Sequence, residues 1–274
     1  MSKVAVIGVG NMGYAYVQSV IKKGIAKKEN VLLFDVSAER VKALKEEGFT
    51  NSFTEFNTTL SEAAIVVLAV KPQFFVEMAQ KAQSFIHNSQ VLVSIMAGVK
   101  ARVIEKHLLN TAIVRAMPNT PCMLNEGVTG IYVTGGAKRS ESLEEVRKIL
   151  QSTGQLVEVD KEEDIDTVTS ISGSGPAYFY YYVQSMVKQG IELGLSQEIA
   201  ERLANYTMKG AFHMIENKGD KSIQDLIDAV TSKGGTTIAA LDTMRSNNVG
   251  DGIQKGVQAA KTRAGELSDM IEKG

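Results

Sequence analysis

The sequence predicts an α/β fold in which a doubly wound parallel sheet is followed by an all-helical C-terminal domain. Short apolar strand patterns alternate with helical patterns as far as residue 159, which is typical of a parallel sheet covered on both faces. From about residue 161 the strand patterns stop and helical periodicity continues to the end. We therefore place an N-terminal domain at 1–160 and a helical domain at 161–274.

The composition excludes several classes of protein. Lys plus Arg number 30 and Asp plus Glu number 31, so there is no excess of positive charge to bind nucleic acid or an anionic membrane. The apolar runs are too short to span a bilayer, and because a strand pattern begins at once we expect no signal peptide. A single cysteine, Cys122, allows no intrachain disulfide and favours a reducing cytoplasm. The three histidines are scattered, so we expect no metal.

A glycine motif follows the first predicted strand. The segment 3–7 reads as a buried parallel strand, GVGNMG comes next, and a helical pattern follows. Gly8 would make the tight turn, and Gly10 would let the backbone approach the pyrophosphate closely. Gly13 would allow the helix to pack closely on the strand. The helix N-terminus then presents free N–H groups to the phosphates. This combination predicts a dinucleotide-binding Rossmann domain, whose candidate pyrophosphate contacts are Gly8, Gly10, Asn11, Met12 and Gly13.

Asp35 ends the second predicted strand, 22 positions beyond Gly13. A carboxylate there can accept hydrogen bonds from a ribose 2′-hydroxyl and would repel a 2′-phosphate, which favours NAD(H). Ser37 and Arg40 lie close in sequence and could shape a phosphate pocket, so NADP(H) stays open. A third interpretation is that Asp35 only caps the helix at 37–47.

Ligands of doubly wound sheets bind at the carboxyl ends of the strands. The predicted strands 64–70, 90–95 and 111–115 end next to the motifs AVKPQ, MAGV and AMPNTP. Strands at 128–133 and 155–159 complete the series. The same residues could simply turn the chain. On position alone the candidate cofactor contacts are Lys71, Pro72, Ala97, Gly98, Pro118 and Asn119.

The helical half contains helices that are apolar on more than one face. We predict helices at 161–171, 175–194, 196–217, 222–231, 235–245 and 249–272. The second and third of these carry apolar residues around much of their circumference, so they must be covered on several sides. We expect an intertwined homodimer; the alternative is that the first domain covers these faces.

Two loops rich in glycine and hydroxyl groups precede helices in this half: SGSGPAY at 172–178 and TSKGGTT at 231–237. In the first, Ser174 is expected to cap the helix and Pro176 to occupy its first turn. Backbone N–H groups at such a helix start suit a carboxylate. Neither loop follows a strand, which argues against a second nucleotide loop; capping alone is the alternative for either.

Taken in order, the motifs GVGNMG, AVKPQ, SIMAG, RAMPNTP, SGSGPAY and TSKGGTTIAAL make the chain resemble pyrroline-5-carboxylate reductases over essentially its whole length. The resemblance implies hydride transfer from NAD(P)H to Δ1-pyrroline-5-carboxylate, giving L-proline in the last step of proline biosynthesis. It also implies a homodimer through the helical domain, often assembled into rings of dimers. The alternatives are a reductase of another cyclic imine, an enzyme like β-hydroxyacid dehydrogenases, and a non-catalytic nicotinamide-binding sensor.

The resemblance also implies roles for single residues. The segment from Gly8 to Gly13 would cradle the pyrophosphate, and Asn119 would lie near the nicotinamide. Residues bordering the cofactor would be Val70, Lys71, Pro72 and Ala97. The substrate would contact Glu162, Ser232, Gly234, Gly235, Thr236 and Thr237. Thr237 would face the ring nitrogen as the catalytic hydroxyl. A protonated cyclic imine is already electrophilic, so the reaction needs mainly positioning, in keeping with motifs that contain no strong general acid.

Overall fold

A computed structural model describes residues 2–273. By internal contacts the chain forms two compact units. The first contains the residues up to Ser174 together with those from Ala260 onward, and the second is Gly175–Ala259. The predicted domain boundary at residue 160 does not coincide with this division by contacts, and as a functional boundary it stays a prediction.

The first unit is built on an eight-stranded sheet in the order β3-β2-β1-β4-β5-β6-β7-β8. Its strands are β1 Val4–Ile7, β2 Val31–Phe34, β3 Ser52–Phe53, β4 Ile65–Leu68, β5 Val91–Ser94, β6 Ile113–Met117, β7 Gly127–Val133 and β8 Gly154–Glu158. The first six strands have the order and parallel pairing of a doubly wound nucleotide-binding sheet. The predicted fold class is therefore confirmed. In register, Ile7 lies opposite both Phe34 and Leu68, so the carboxyl ends of β1, β2 and β4 meet at one edge.

The expectation of a wholly parallel sheet is wrong at β7, which runs antiparallel to β6. Only nine residues, 118–126, join these strands. A parallel return needs a crossover of about a dozen residues or more, so the chain can only turn back on itself. The two-residue strand β3 was not predicted because it is too short to show an alternating pattern.

Both faces of the sheet are buried. Val4 and Val6 belong to one core cluster with Tyr16 and Val17, whereas Ala5 and Ile7 alternate into a second cluster. Helices on the two faces supply the cover, which explains why the strands are continuously apolar. The helices of this unit are α1 Asn11–Lys22, α2 Ala38–Glu46, α3 Phe75–Ala82, α4 Ala101–Leu108, α5 Gly135–Lys138, α6 Leu143–Gln151 and α7 Asp164–Val168.

The remaining helices are α8 Gly175–Glu192, α9 Gln197–Glu216, α10 Ile223–Ala229, α11 Thr236–Ser246 and α12 Val249–Lys273. Ser222 and Asp225 form the predicted capping box at α10. Ser196 caps α9 by accepting a hydrogen bond from the Ile199 N–H. Large apolar side chains of α8 and α9 remain exposed, among them Phe179, Tyr180, Tyr181, Leu203, Tyr206, Phe212 and Met214.

The segment SGSGPAY contains the start of α8 at Gly175, with Pro176 in its first turn as predicted, but the prediction that Ser174 caps this helix is wrong. A π-helix at Thr169–Gly173 extends α7, and Ser174 has helical dihedral angles. The Ser174 N–H donates to the carbonyl oxygen of Thr169 at 2.9 Å, so it is not free to bind an anion. Gly173 lies against β6: a Cβ there would be 2.9 Å from Cε of Met117. The glycine therefore serves close packing inside the first unit.

Within residues 2–273, none of the helices is long and apolar enough to cross a membrane. The same residues contain no group of three or more His, Cys, Asp or Glu side chains that could hold a metal ion.

Candidate functional site

The turn between β1 and α1 leaves no room for side chains at two of its glycines. Gly8 has a φ of +90°, and a Cβ there would lie 2.8 Å from the carbonyl group of Ala69. A Cβ on Gly13 would lie 2.3 Å from the carbonyl oxygen of Gly8. Because both residues lack a side chain, the turn can lie against the end of β4 and α1 can pack close to β1.

The N-terminus of α1 is open. Gly10 is its N-cap, makes no side-chain capping bond, and has nothing within 4 Å of the place where a Cβ would stand. Asn11 and Met12 follow in the first turn, whose N–H groups have no intrahelical acceptors. With the helix dipole behind them, these groups suit an anion such as a pyrophosphate.

Asp35 is bonded to the glycine turn. Its Oδ2 accepts from the Val9 N–H at 2.8 Å, and its Oδ1 accepts from the Ser37 N–H at 3.0 Å. The N-cap of α2 is Ser37, whose Oγ accepts from the Arg40 N–H at 3.2 Å. The interpretation of Asp35 as a helix cap is therefore wrong.

Arg40 holds the same turn from the other side. Its Nε donates to the carbonyl oxygen of Val9 at 3.0 Å, and its guanidinium carbon lies 4.2 Å from the centre of the Tyr14 ring. Partial burial and the neighbouring Glu47 carboxylate raise the pKa of Tyr14, so its hydroxyl stays protonated and donates to Glu47. Both candidate specificity residues, Asp35 and Arg40, thus fix the backbone of Val9.

The candidates after β4 and β5 lie in two short loops. The backbone N of Val70 is 2.9 Å from the place where a Cβ on Gly8 would stand, so this loop touches the glycine turn. Lys71 is exposed and precedes a 3₁₀ turn that Pro72 begins. Ala97 is exposed, and Gly98 has a φ of +75° that favours glycine. Within residues 2–273, no backbone hydrogen bond joins this second loop to the glycine turn.

Asn119 is buried after β6, and its side-chain carbonyl is engaged within the protein. The Oδ1 accepts from the Val128 N–H at 3.0 Å and lies 3.8 Å from Sγ of Cys122. Asn119 therefore ties the hairpin connection to the start of β7. Cys122 itself is a free, buried side chain.

A buried ion pair lies in the first unit. Arg115 projects from β6 with only 4% of its side chain exposed, and its Nη1 is 3.1 Å from Oε1 of Glu162. The same Oε1 accepts from the Ala101 N–H at 2.6 Å, at the first residue of α4. The partners of Glu162 therefore belong to the sheet and to a helix N-terminus.

Sequence analysis did not identify Arg115 as a candidate, although a cation at the end of the apolar run TAIVR was a signal that could have found it.

Asp166 lies near Arg115, and its carboxyl has a raised pKa. Desolvation by burial raises this pKa, and the attraction of Arg115, Lys100 and Lys261 only partly opposes the effect. Asp166 therefore stabilises the fold most at pH values below the ordinary pKa of an aspartate. This contribution is lost as the pH rises through the raised pKa of Asp166.

The second glycine loop opens α11 as predicted. Gly235 is the N-cap without a side-chain capping bond, and Gly234 has a φ of +73°. The Gly235 N–H donates to the carbonyl oxygen of Ser232 at 3.0 Å, which closes the turn. Among the hydrogen bonds of residues 2–273, the hydroxyls of Thr236 and Thr237 have no protein partner. The loop therefore offers free N–H groups and free hydroxyls at one helix end.

Two family models match the chain. The model described as pyrroline-5-carboxylate reductase dimerisation matches residues 162–267. The model described as NADP oxidoreductase, coenzyme F420-dependent, matches residues 3–98.

Relatives named as pyrroline-5-carboxylate reductases match over nearly the full length. The chain is 32% identical to a pyrroline-5-carboxylate reductase of Corynebacterium melassecola, with 97% of this chain and 99% of the relative covered. It is 33% identical to that of Pseudomonas aeruginosa, with 98% of each covered. A solved pyrroline-5-carboxylate reductase from Coxiella burnetii is 30% identical with a TM-score of 0.89, covering 97% of this chain and 98% of that one. The Plasmodium falciparum pyrroline carboxylate reductase with NADP bound is 29% identical over the same shares, with a TM-score of 0.84.

Replacing Glu162 should lower the stability of the folded protein. In Glu162→Ala the buried Arg115 guanidinium loses its counter-ion and α4 loses a cap, so we expect a loss of roughly 3 kcal/mol in the free energy of unfolding. Glu162→Gln keeps an acceptor for the Ala101 N–H and should lose less. Denaturant unfolding measures both. Glu158→Ala, which breaks the more exposed pair with Arg147, is the control and should cost about 0–1 kcal/mol. Unchanged stability in Glu162→Ala would contradict this role.

Proposed function

The chain belongs to the pyrroline-5-carboxylate reductase family, and on that premise we propose how its residues reduce Δ1-pyrroline-5-carboxylate to L-proline with NAD(P)H. The relatives named above carry this activity in their names. The observation that supports the proposal most directly is the pairing, in one chain, of an open glycine turn at α1 with a second open glycine loop at α11. The first suits a dinucleotide and the second a small carboxylate.

The residues around the glycine turn fit a nicotinamide dinucleotide. The uncapped N–H groups of the first turn of α1 would hold the pyrophosphate, with Gly10 leaving room for its approach. Residues proposed to border the rest of the cofactor are Val70, Lys71, Pro72, Ala97, Gly98 and Asn119. When bound, NAD(P)H supplies the hydride for the reduction. The protein would bind the cofactor and hold the substrate in the orientation that hydride transfer requires.

The loop before α11 is proposed to hold the substrate. The N–H groups at Thr236, Thr237 and the following turn would bind the substrate carboxylate, with the helix dipole favouring its charge. Ser232 and Gly234 shape the turn that presents these groups. Thr237 would place its hydroxyl at the ring nitrogen, where it can donate a hydrogen bond, directly or through water, to the lone pair that forms as the C=N bond is reduced. Glu162 remains a proposed substrate neighbour, besides its bonds to Arg115 and Ala101.

No strong acid is required for this reaction. A ketone needs a proton donor for the developing alkoxide, whereas a protonated cyclic imine carries its positive charge before hydride arrives. The neutral amine forms directly as the C=N bond is reduced. The protein residues therefore contribute position and a hydrogen bond at nitrogen, and a threonine hydroxyl suffices for this.

We propose that the protein forms a homodimer through the helical unit and that these dimers assemble into a ring. We also propose that it acts in the cytoplasm. The exposed side chains of α8 and α9 include Tyr181, 73% exposed, and Tyr206, 67% exposed. Apolar surface of this extent is characteristic of a protein interface. In functional terms, residues 1–160 would bind the cofactor, and residues 161–274 would bind the substrate and the partner.

The reaction and the role of Thr237 can be tested in one assay. The wild-type protein should consume NAD(P)H when pyrroline-5-carboxylate is added, as followed by absorbance. Thr237→Ala should lower kcat on the order of 10- to 100-fold because the hydrogen bond at nitrogen is lost, with little change in NAD(P)H affinity. Thr237→Ser retains the hydroxyl and is the matched control. An unchanged kcat in Thr237→Ala would remove this residue from the mechanism.

The charge of Asp35 should influence cofactor choice. We expect a lower KM for NADH than for NADPH, since the carboxylate repels a 2′-phosphate. Asp35→Asn keeps an oxygen for the Val9 N–H but removes the charge, so the KM for NADPH should fall about tenfold. Glu39→Gln, in the first turn of α2, is the control. A strong NADPH preference in the wild type would refute the proposed repulsion.

The oligomer can be tested by light scattering at micromolar concentration. We expect at least twice the chain mass of 29.6 kDa, because a dimer would cover the apolar faces of α8 and α9. Leu203→Glu with Tyr206→Glu should lower the mass by placing charges in the proposed interface. A wild-type mass equal to one chain would contradict the dimer.

A further inference from the structure

The C-terminal end of α12 packs on the loop that follows β5. We call residues 264–272 the C-terminal clamp; they belong to the same compact unit as the sheet. A Cβ on Gly98 would lie 3.2 Å from Cδ1 of Ile271 and 3.4 Å from the backbone N of Ser268. The helix backbone is therefore in van der Waals range of the loop, and a side chain at Gly98 would press against the end of the Ile271 side chain.

The contact has an apolar centre. Ser268 is fully buried and Ala264 is 8% exposed, so one face of the clamp is covered. Ile271 packs against the core cluster that contains Met96 and Val99, which flank Ala97 and Gly98 in the loop. The two residues next to the exposed Ala97–Gly98 turn are thus held by the clamp and by the sheet.

Opposite charges close the edge of the contact. The Nζ of Lys100 lies 3.0 Å from Oδ1 of Asp269 and 3.6 Å from Oε2 of Glu272. Arg102 forms a further pair with Glu272. Lys100 and Glu272 expose only 25% and 31% of their side chains, so water screens this pair less than a fully exposed one.

We infer that the C-terminal clamp is a positioning element for the nicotinamide cofactor, because it fixes the conformation of the Ala97–Gly98 turn. The inference rests on the proposed function, in which these two residues border the cofactor. A loop that is already ordered loses less conformational freedom when a ligand binds, so its affinity for the ligand is higher. Asp269 and Glu272 act through Lys100 and Arg102 and do not touch the cofactor in this proposal.

Charge reversal tests the clamp without disturbing the core. The double variant Asp269→Lys with Glu272→Lys places four cations together and should detach the clamp from Lys100 and Arg102. We expect the KM and the directly measured Kd for NAD(P)H to rise about three- to tenfold, by fluorescence quenching. The kcat at saturating cofactor should change less than about twofold, because the chemistry is untouched.

Two further variants separate positioning from general stability. Adding Lys100→Glu and Arg102→Glu to the double variant restores opposite charges and should return the cofactor Kd toward the wild-type value. Glu158→Lys reverses a comparable pair with Arg147, far along the sheet at β8, and should leave the Kd unchanged.

An unchanged Kd in the folded double variant would overturn the inference, and so would failure of the fourfold variant to restore it. These results are distinct from failure of the proposed function. If the wild-type protein binds NAD(P)H but does not reduce pyrroline-5-carboxylate, the substrate assignment fails and the clamp is still tested by the Kd. If the wild-type protein binds no NAD(P)H, both fail.

Discussion

One carboxylate, that of Glu162, satisfies two demands that the sheet cannot meet itself. The guanidinium of Arg115 is buried in β6, where an unpaired charge would be very costly, and the first N–H of α4 needs an acceptor. Because both bonds end on the same oxygen, β6, the start of α4 and the chain leaving the sheet are held in one arrangement. The loop that precedes α4, with Ala97 and Gly98, is thereby fixed at its far end.

The two candidate binding loops are prepared by different physical means. At the glycine turn, steric exclusion at Gly8 and Gly13 is reinforced by Asp35 and Arg40, which both bond to Val9. Few groups there are free except the N–H groups of the helix start. At the loop before α11, the backbone turn is closed, but the hydroxyls of Thr236 and Thr237 have no partner within residues 2–273. A rigid turn suits a phosphate held by backbone groups, and free hydroxyls suit a small substrate that must be bonded and released.

Much of this organisation follows from local sequence patterns. The strands are continuously apolar because helices cover both faces, and the glycine turn and the capping box at Ser222 have signatures a few residues long. The antiparallel β7 was missed because strand direction depends on the length of the connection, not on the strand itself. The SGSGPAY segment looked like a helix start because its composition is that of a cap. A helix does begin there, α8 at Gly175, but the π-helix that extends α7 reaches Gly173, and Ser174 keeps helical dihedral angles instead of capping α8. Gly173 itself fits against Met117.

By itself the sequence determined the fold class, the order of the motifs and the residue types at the two glycine loops, since these depend on periodicity and on contacts between near neighbours. Only the tertiary structure decided which distant groups meet. Glu162 pairs with Arg115 from 47 positions away, and the C-terminal clamp reaches Lys100 from 169 positions away. Such pairings arise from the packing of elements on the sheet, and the spacing of residues along the chain carries no record of them.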